Sequence, residues 1–153
     1  MDYEKRAREL KRPIPSLAKP VGLYKPAVRA GKLVHTSGQL PLSDNRLVHK
    51  GRLGQSVSLE HAQLAAKIAL VNCLAAVKYE INDLNKIKQI VRLNGFVSSS
   101  IDFYDQPKVL NAASELLLQI FGDQVGAHTR TAIGCLELPM GACCELDLIV
   151  EIM

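Results

Sequence analysis

The most regular hydrophobic pattern in the chain is an alternation close to its C-terminus. Apolar residues occupy every second position there (Cys144, Leu146, Leu148, Val150 and Ile152). The positions between them are mainly acidic (Glu145, Asp147, Ile149 and Glu151). Successive side chains of a strand point to opposite faces of its sheet. The alternation therefore predicts a strand over residues 142–152 with one face buried.

A second strand is predicted directly before it, over residues 128–137. Residues 138–141 (Leu-Pro-Met-Gly) would join the two strands as a type I turn, with Pro second and Gly fourth. Directly opposed residues of a hairpin share a face. With a two-residue loop, the register pairs Arg130 with Ile149, Ala132 with Asp147 and Gly134 with Glu145.

Arg130 then has two interpretations. In the first, its guanidinium lies on the face that carries small side chains and, beyond them, carboxylates. This arrangement suits a pocket for an anionic ligand. Alternatively, Arg130 pairs with Asp147 as an exposed ion pair worth about 0–1 kcal/mol. The same register leaves Arg130 and Glu145 about 13 Å apart along the strands, so a shared site needs long side chains, a bridging water or a bulge.

The rest of the chain alternates between strand-like and helix-like patterns. Ser58 stands at the N-cap position of a helix. One apolar ridge of this Ala-rich helix is formed by Leu64, Ile68, Val71 and Ala75. The predicted elements are a charged helix at 3–12, an extended segment through Pro20, strands at 28–29 and 32–37, an edge strand at 47–52, a helix at 59–80, a strand at 88–98 and a helix from 105 to 121–122.

This order predicts an α+β fold, a single domain with a mixed sheet and two helices packed on one face. Two helices are too few for a doubly wound sheet. The second face of the sheet would lie uncovered, and its apolar residues predict oligomerisation. We divide the chain into a charged N-terminal arm, residues 1–19, and a main domain, residues 20–153.

Composition excludes several classes of protein. The 153 residues are 48% hydrophobic, with no apolar run near the roughly 20 residues needed to cross a bilayer. The charged start lacks the apolar core of a signal peptide, so we expect a cytoplasmic protein. Neither the four cysteines nor the four histidines show metal-ligand spacing, and we expect no metal. A net charge of +4 with 5% aromatics makes nucleic acid an unlikely partner.

Three segments together resemble the YjgF/RidA family of reactive-intermediate (enamine/imine) deaminases, once called L-PSP endoribonucleases. They are VGLYKPAV at 21–28, LVHTSGQLP at 33–41, and Arg130 followed by Leu138-Pro139 and Glu145. The long opening of the first segment resembles a subgroup of the family. The resemblance implies a chorismate-mutase-like homotrimer, whose sheets line a central barrel and whose clefts lie between subunits.

The resemblance also implies roles for individual residues. Arg130 matches the arginine that holds the carboxylate of a 2-imino or 2-enamino acid, and Glu145 matches the glutamate that positions the attacking water. Tyr24 matches a tyrosine lining the cleft, and Ser37 matches the serine of the TSGQ strand. Without the family, Glu145 reads equally well as a salt-bridged strand acid, Tyr24 as a packing aromatic and Ser37 as a turn cap.

Two positions depart from the family pattern. Ile101 stands where typical deaminases have an asparagine at the substrate end of the cleft, which puts the usual substrate range in doubt. Ala132 replaces a frequent cysteine, whose backbone carbonyl would be retained. The residues predicted to contact substrate are therefore Tyr24, Ser37, Arg130, Ala132 and Ile101.

The leading hypothesis is hydrolysis of 2-imino or 2-enamino acids to 2-keto acids and ammonia, without a cofactor. The alternative is a trimeric protein that binds a small carboxylate metabolite without turning it over. A third hypothesis, endoribonuclease activity, rests on the older family name alone.

Overall fold

The computed structural model describes residues 1–17 and 22–153, so the prediction of an extended segment at Pro20 and the boundary between residues 19 and 20 fall outside the described residues. The helices are α1 (Tyr3–Glu9), α2 (Leu59–Ile81) and α3 (Gln106–Gly126). The strands are β1 (Ala27–Ala30), β2 (Leu33–Thr36), β3 (Leu42–Ser43), β4 (Arg46–Leu47), β5 (Ile87–Ser98), β6 (Thr129–Cys135) and β7 (Cys144–Ile152). Short 3₁₀ turns lie at Leu84–Lys86 and Pro139–Gly141.

The main sheet has five strands in the order β1-β2-β7-β5-β6. Strand β5 lies between β6 and β7, pairing parallel with β6 and antiparallel with β7. The predicted hairpin between the last two strands is therefore wrong, and its register with it. Parallel neighbours require a long crossover connection, which α3 provides between β5 and β6.

The turn after β6 also differs from the prediction. The Gly141 N–H donates to the Leu138 carbonyl at 3.0 Å, but Met140 has φ +60° and ψ 7°. A positive φ at the third position is the mark of a type II turn rather than the predicted type I.

Helices α2 and α3 pack on one face of the sheet, as the α+β prediction required. The N-terminal helix α1 is a third member of this layer and ends earlier than predicted. The rings of Tyr3 and Phe121 lie 4.6 Å apart, and Glu4 pairs with Lys78 at 2.7 Å.

Helix α2 begins and ends where its capping residues predict. The Ser58 side chain accepts from the His61 N–H at 3.1 Å, and Asn82 ends the helix in the left-handed conformation. The predicted ridge is partly wrong, because Leu64 is exposed and Ile68 only half-buried. The buried face is instead formed by the alanines with Leu70, Leu74 and Val77, whose small average size lets the helix lie close to the sheet.

Two further predictions need correction. The predicted strand at 47–52 is replaced by the β3–β4 hairpin, whose two-residue turn holds Asp44 and Asn45 at positive φ, as these residue types tolerate. Helix α3 does not end at 121–122. Gly122 adopts a non-helical conformation (φ 78°, ψ 169°), and helical structure then continues to Gly126.

The two faces of the sheet differ as the alternation in β7 predicts. All five apolar residues of its inner face are buried under the helices (Cys144, Leu146, Leu148, Val150 and Ile152). The outer face is not covered by any described element and carries half-buried and exposed residues, among them Phe96, Ile149 and the 45% exposed Ile133. We call these the helix face and the open face.

Candidate functional site

Arg130 lies on the helix face, at the edge of the sheet. It pairs with Leu93, which in turn pairs with Leu148, and both leucines are fully buried. Because directly paired residues share a face, the Arg130 side chain projects toward α3 rather than toward the acids of β7. The predicted approach of Arg130 to Glu145 and Asp147 across a hairpin is therefore wrong.

The guanidinium of Arg130 is held by neutral side chains. Its Nη1 atom donates to Asn111 Oδ1 at 2.9 Å and to Ser114 Oγ at 3.1 Å, both on α3. Within residues 1–17 and 22–153, no carboxylate forms an ion pair with Arg130. Asp147, the alternative partner that the sequence left open, instead accepts from Asn94 Nδ2 at 2.8 Å. Arg130 thus keeps its charge uncompensated by the described residues.

Small residues bring α3 close enough to reach Arg130. Gly95 is buried in β5, and a Cβ atom there would lie 2.3 Å from Leu110 Cδ1 on α3. On the neighbouring strand, Ala132 is half-buried beside the core, and a Cβ at Gly134 would lie 2.7 Å from Gln106 Nε2. Arg130, Ala132 and Gly134 share one face of β6, as the alternation predicted, but it is the helix face rather than the predicted face of Glu145 and Asp147.

Glu145 lies on the open face. It pairs with Phe96, which pairs with the exposed Ile133. Partial burial, and secondarily the neighbouring Asp147 carboxylate, raise the pKa of Glu145 above its usual range. A carboxyl group of this kind takes up a proton more readily than a fully solvated glutamate does.

Ser37 and Gly38 lie beside Glu145. A Cβ atom at Gly38 would come within 2.1 Å of Glu145 Oε1, so glycine leaves room for the carboxylate at this position. Ser37 Oγ donates to the Lys25 carbonyl at 2.6 Å, and the Ser37 N–H donates to the Pro26 carbonyl at 2.8 Å. These bonds tie the segment that follows Tyr24 to the end of β2, where Gly38 lies against Glu145.

Tyr24 and Ile101 are both solvent-exposed. Tyr24 is 54% exposed in the segment before β1, and its ring lies against Gly22. Ile101 is 89% exposed in the loop between β5 and α3. Neither side chain has the enclosed position of a packing residue.

The predicted site residues therefore form two groups rather than one. Arg130 and Ala132 lie on the helix face at the β6 edge, whereas Glu145 lies on the open face next to Ser37 and Gly38, which follow β2. One copy of the chain cannot bring Arg130 and Glu145 to the same small ligand, because the sheet separates them.

Sequence reasoning missed three residues around Arg130: Asn111, Ser114 and His128. The signal for the first two was their spacing of three on α3, which places both polar side chains on one side of the helix. His128 stands two residues before Arg130, and its Nε2 atom lies 2.9 Å from Ser114 Oγ. None of these contacts follows from local pattern, because each depends on where α3 crosses β6.

The described ranges, 1–17 and 22–153, contain neither a metal-binding cluster nor a membrane-spanning helix. No group of three or more His, Cys, Asp or Glu side chains there is arranged to hold a metal ion. None of the helices described is long and apolar enough to cross a membrane.

Residues 5–152 match the family model "YjgF/chorismate_mutase-like, putative endoribonuclease". A relative from Trypanosoma cruzi, Protein TCP17, is 39% identical over 91% of this chain and 87% of its own length. The crystal structure of the protein Atu1372 "with unknown function" from Agrobacterium tumefaciens is 39% identical, with a TM-score of 0.92 over 99% of this chain and 93% of that one.

A third similar protein is a "putative endoribonuclease" of known crystal structure from Shewanella oneidensis. It is 32% identical to this chain, with a TM-score of 0.95 over 99% of this chain and 100% of the other. The similarity thus extends over both groups of site residues and over α1, not only over the sheet.

Proposed function

The chain belongs to the YjgF/chorismate mutase-like family, and on that premise we propose that it hydrolyses 2-imino or 2-enamino acids to 2-keto acids and ammonia. The observation that carries the proposal is the Arg130 guanidinium, which is held by Asn111 and Ser114 and has no acidic partner among the described residues. A planar, permanently charged fork in this state is suited to bidentate binding of a carboxylate.

In the proposed reaction, Arg130 fixes the substrate carboxylate and Glu145 orients a water molecule toward C2. Glu145 takes a proton from the water as its oxygen attacks the C=N carbon, and returns that proton to the imine nitrogen. Glu145 then transfers the hydroxyl proton of the resulting carbinolamine to its amino nitrogen, so that a C=O bond forms as the C–N bond breaks and ammonia leaves. A raised pKa of Glu145 supports this role, since general bases work best when their pKa lies nearer the working pH.

We further propose that the reaction occurs in clefts between the subunits of a homotrimer. The position of Arg130 and Glu145 on opposite faces of the sheet supports this, because a neighbouring copy can supply the missing residue to each cleft. The exposed apolar residues of the open face support contact with another copy as well.

The test is an imine-hydrolysis assay coupled to an amino-acid oxidase, which generates the 2-imino acid in place. Semicarbazide traps the imine that remains, so hydrolysis by the protein lowers the yield of semicarbazone. We expect Arg130→Ala to reduce hydrolysis roughly a hundredfold, because a desolvated charge pair with the substrate is lost.

Arg46→Ala is the matched control, because Arg46 is an exposed arginine of the separate β3–β4 hairpin. It should hydrolyse imine as the unaltered chain does. Two results would contradict the proposal. One is imine hydrolysis by the unaltered chain that is no faster than the spontaneous reaction, and the other is equal hydrolysis by Arg130→Ala and Arg46→Ala.

One observation favours the second candidate, a protein that binds a carboxylate metabolite without turnover. Exposed Ile101 lacks the amide that the resemblance places at the substrate end of the cleft. Calorimetric titration with 2-oxobutanoate distinguishes the candidates. Binding that depends on Arg130 without imine hydrolysis supports the binder.

The family description and the Shewanella oneidensis relative both carry the name endoribonuclease. RNA is therefore included as a control substrate. Cleavage that survives Arg130→Ala would come from another site or from a contaminating nuclease.

A further inference from the structure

Arg130 is attached to the helical layer through one end of its guanidinium only. A guanidinium has five N–H donors, two on each Nη atom and one on Nε. Nη1 donates to both Asn111 Oδ1 (2.9 Å) and Ser114 Oγ (3.1 Å), which uses both of its hydrogens. In the part of the chain that the structure describes, Nε and Nη2 make no hydrogen bond.

Ser114 is itself held in place by His128. The Nδ1 atom of His128 lies 2.6 Å from the Gly126 carbonyl oxygen, and its Nε2 atom lies 2.9 Å from Ser114 Oγ. A carbonyl oxygen can only accept, so Nδ1 carries the proton. In the neutral ring Nε2 is then bare and accepts the Ser114 hydroxyl proton, which leaves the lone pairs of Ser114 Oγ free for Arg130 Nη1.

The residues of this hydrogen-bond network come from α3 and from the segment that joins α3 to β6. Asn111 and Ser114 are three residues apart on α3, so they lie on one side of the helix. Gly126 is the last residue of α3, and His128 precedes β6. The direction of each bond is determined by its neighbour, so the network holds the guanidinium in a single orientation.

We propose that Ser114 and His128 are positioning residues for Arg130, and that they leave the Nε–Nη2 edge of the guanidinium as the edge that receives the substrate carboxylate. The inference rests on the proposed function. Two parallel N–H groups are required for a bidentate bond to a carboxylate, and with Nη1 occupied only the Nε–Nη2 edge offers such a pair. Rotation about the Cζ–Nε bond would exchange the edges, and the bond from Ser114 opposes that rotation.

Nitrogen-15 NMR of the full chain tests both parts of the proposal. The Nε–H signal of Arg130 is assigned by its disappearance in Arg130→Lys. Titration with 2-oxobutanoate should shift this signal strongly, since Nε–H becomes a donor to the carboxylate. The two Nη signals should be separate in the unaltered chain, because Ser114 and Asn111 slow the rotation of the group.

Ser114→Ala should merge the Nη signals and weaken 2-oxobutanoate binding about three- to tenfold. Ser114→Thr, which keeps a hydroxyl, should restore both properties to within about twofold, since only the hydroxyl contacts Arg130. His128→Gln can place an amide oxygen where Nε2 accepts and should behave like Ser114→Thr, whereas His128→Leu should behave like Ser114→Ala. Thermal unfolding of each variant separates loss of positioning from loss of structure.

Separate Nη signals and unchanged affinity in Ser114→Ala would overturn the positioning role. A 2-oxobutanoate titration that shifts the Nη signals but not Nε–H would overturn the assignment of the edge. If Nε–H shifts as expected but no imine is hydrolysed, the proposed activity fails while the carboxylate edge stands. If no Arg130 signal shifts at all, the assignment of the edge and the carboxylate site fail together.

Discussion

The surroundings of the charged residues differ between the two faces of the main sheet. On the helix face, Arg130 lies at the edge of a fully buried layer, and its only described partners are the neutral side chains of Asn111 and Ser114. On the open face, Glu145 stands near a second acid, Asp147, and partial burial raises its pKa. Among the described residues, none forms an ion pair with either group.

Acids with a perturbed pKa cluster at functional sites, and a cation with no acidic partner among the described residues is available to an anionic ligand. The sheet separates the two groups, which is why we propose that they meet only between copies of the chain.

The largest effect is expected from mixing two inactive variants. Arg130→Ala lacks the cation and Glu145→Gln lacks the base, so each alone should show almost no imine hydrolysis. In random trimers of the two, about one cleft in four receives Arg130 from one subunit and Glu145 from its neighbour. Imine hydrolysis after co-expression of the two variants in equal amounts should therefore recover to about a quarter of the unaltered level.

The matched control mixes the unaltered chain with the double variant Arg130→Ala/Glu145→Gln. If clefts are shared between subunits, about a quarter of them remain intact in this mixture too. If each subunit carries its own site, the control should retain about half of the activity and the two single variants should give none. That second result would end the shared-cleft proposal.

A smaller effect distinguishes the two faces by stability. Leu148 is fully buried on the helix face, so Leu148→Ala should lower the free energy of unfolding by about 2–5 kcal/mol in denaturant titrations. Ile149 is its neighbour on the open face and is only half-buried. Ile149→Ala should therefore lower the free energy of unfolding by less than about 1.5 kcal/mol at low protein concentration.

Protein concentration sharpens this comparison. If other subunits cover the open face, the decrease in the free energy of unfolding caused by Ile149→Ala should depend on protein concentration. Most of the decrease caused by Leu148→Ala should be independent of concentration, because Leu148 is buried within one chain. Equal losses at every concentration would mean that the two faces are packed alike, contrary to the structure.

The smallest effect concerns the pH dependence contributed by Glu145. Its raised pKa means that the folded chain binds more protons than the unfolded chain as pH rises above the usual glutamate range, so the free energy of unfolding falls through that window. Glu145→Gln removes this loss. The variant should match the unaltered chain at acidic pH and exceed it at neutral pH by less than about 1 kcal/mol, since the group is half exposed.

Thermal unfolding measured from acidic to neutral pH checks this prediction. Glu115→Gln is the control, because Glu115 is an exposed acid on α3. A Glu145→Gln variant that loses stability at neutral pH would show that the carboxylate is stabilised in the fold rather than strained.

Most of the helices and strands, and the division of β7 into two faces, could be predicted from sequence because they depend on neighbours in the chain. Ser58 and Asn82 mark the ends of α2 by local capping chemistry, and the period of two in β7 assigns its buried residues. The family resemblance likewise depends on local motifs, and it is confirmed.

The tertiary structure alone decided the strand order, and with it the position of Arg130 relative to Glu145. Insertion of β5 between β6 and β7 is a long-range pairing, and no turn residue or hydrophobic period near Arg130 records it. Since side chains alternate with every residue, an incorrect partner strand places a charge on the wrong face. The contacts of Arg130 with Asn111 and Ser114, and that of Ser114 with His128, depend on the same crossover and could be seen only in the folded chain.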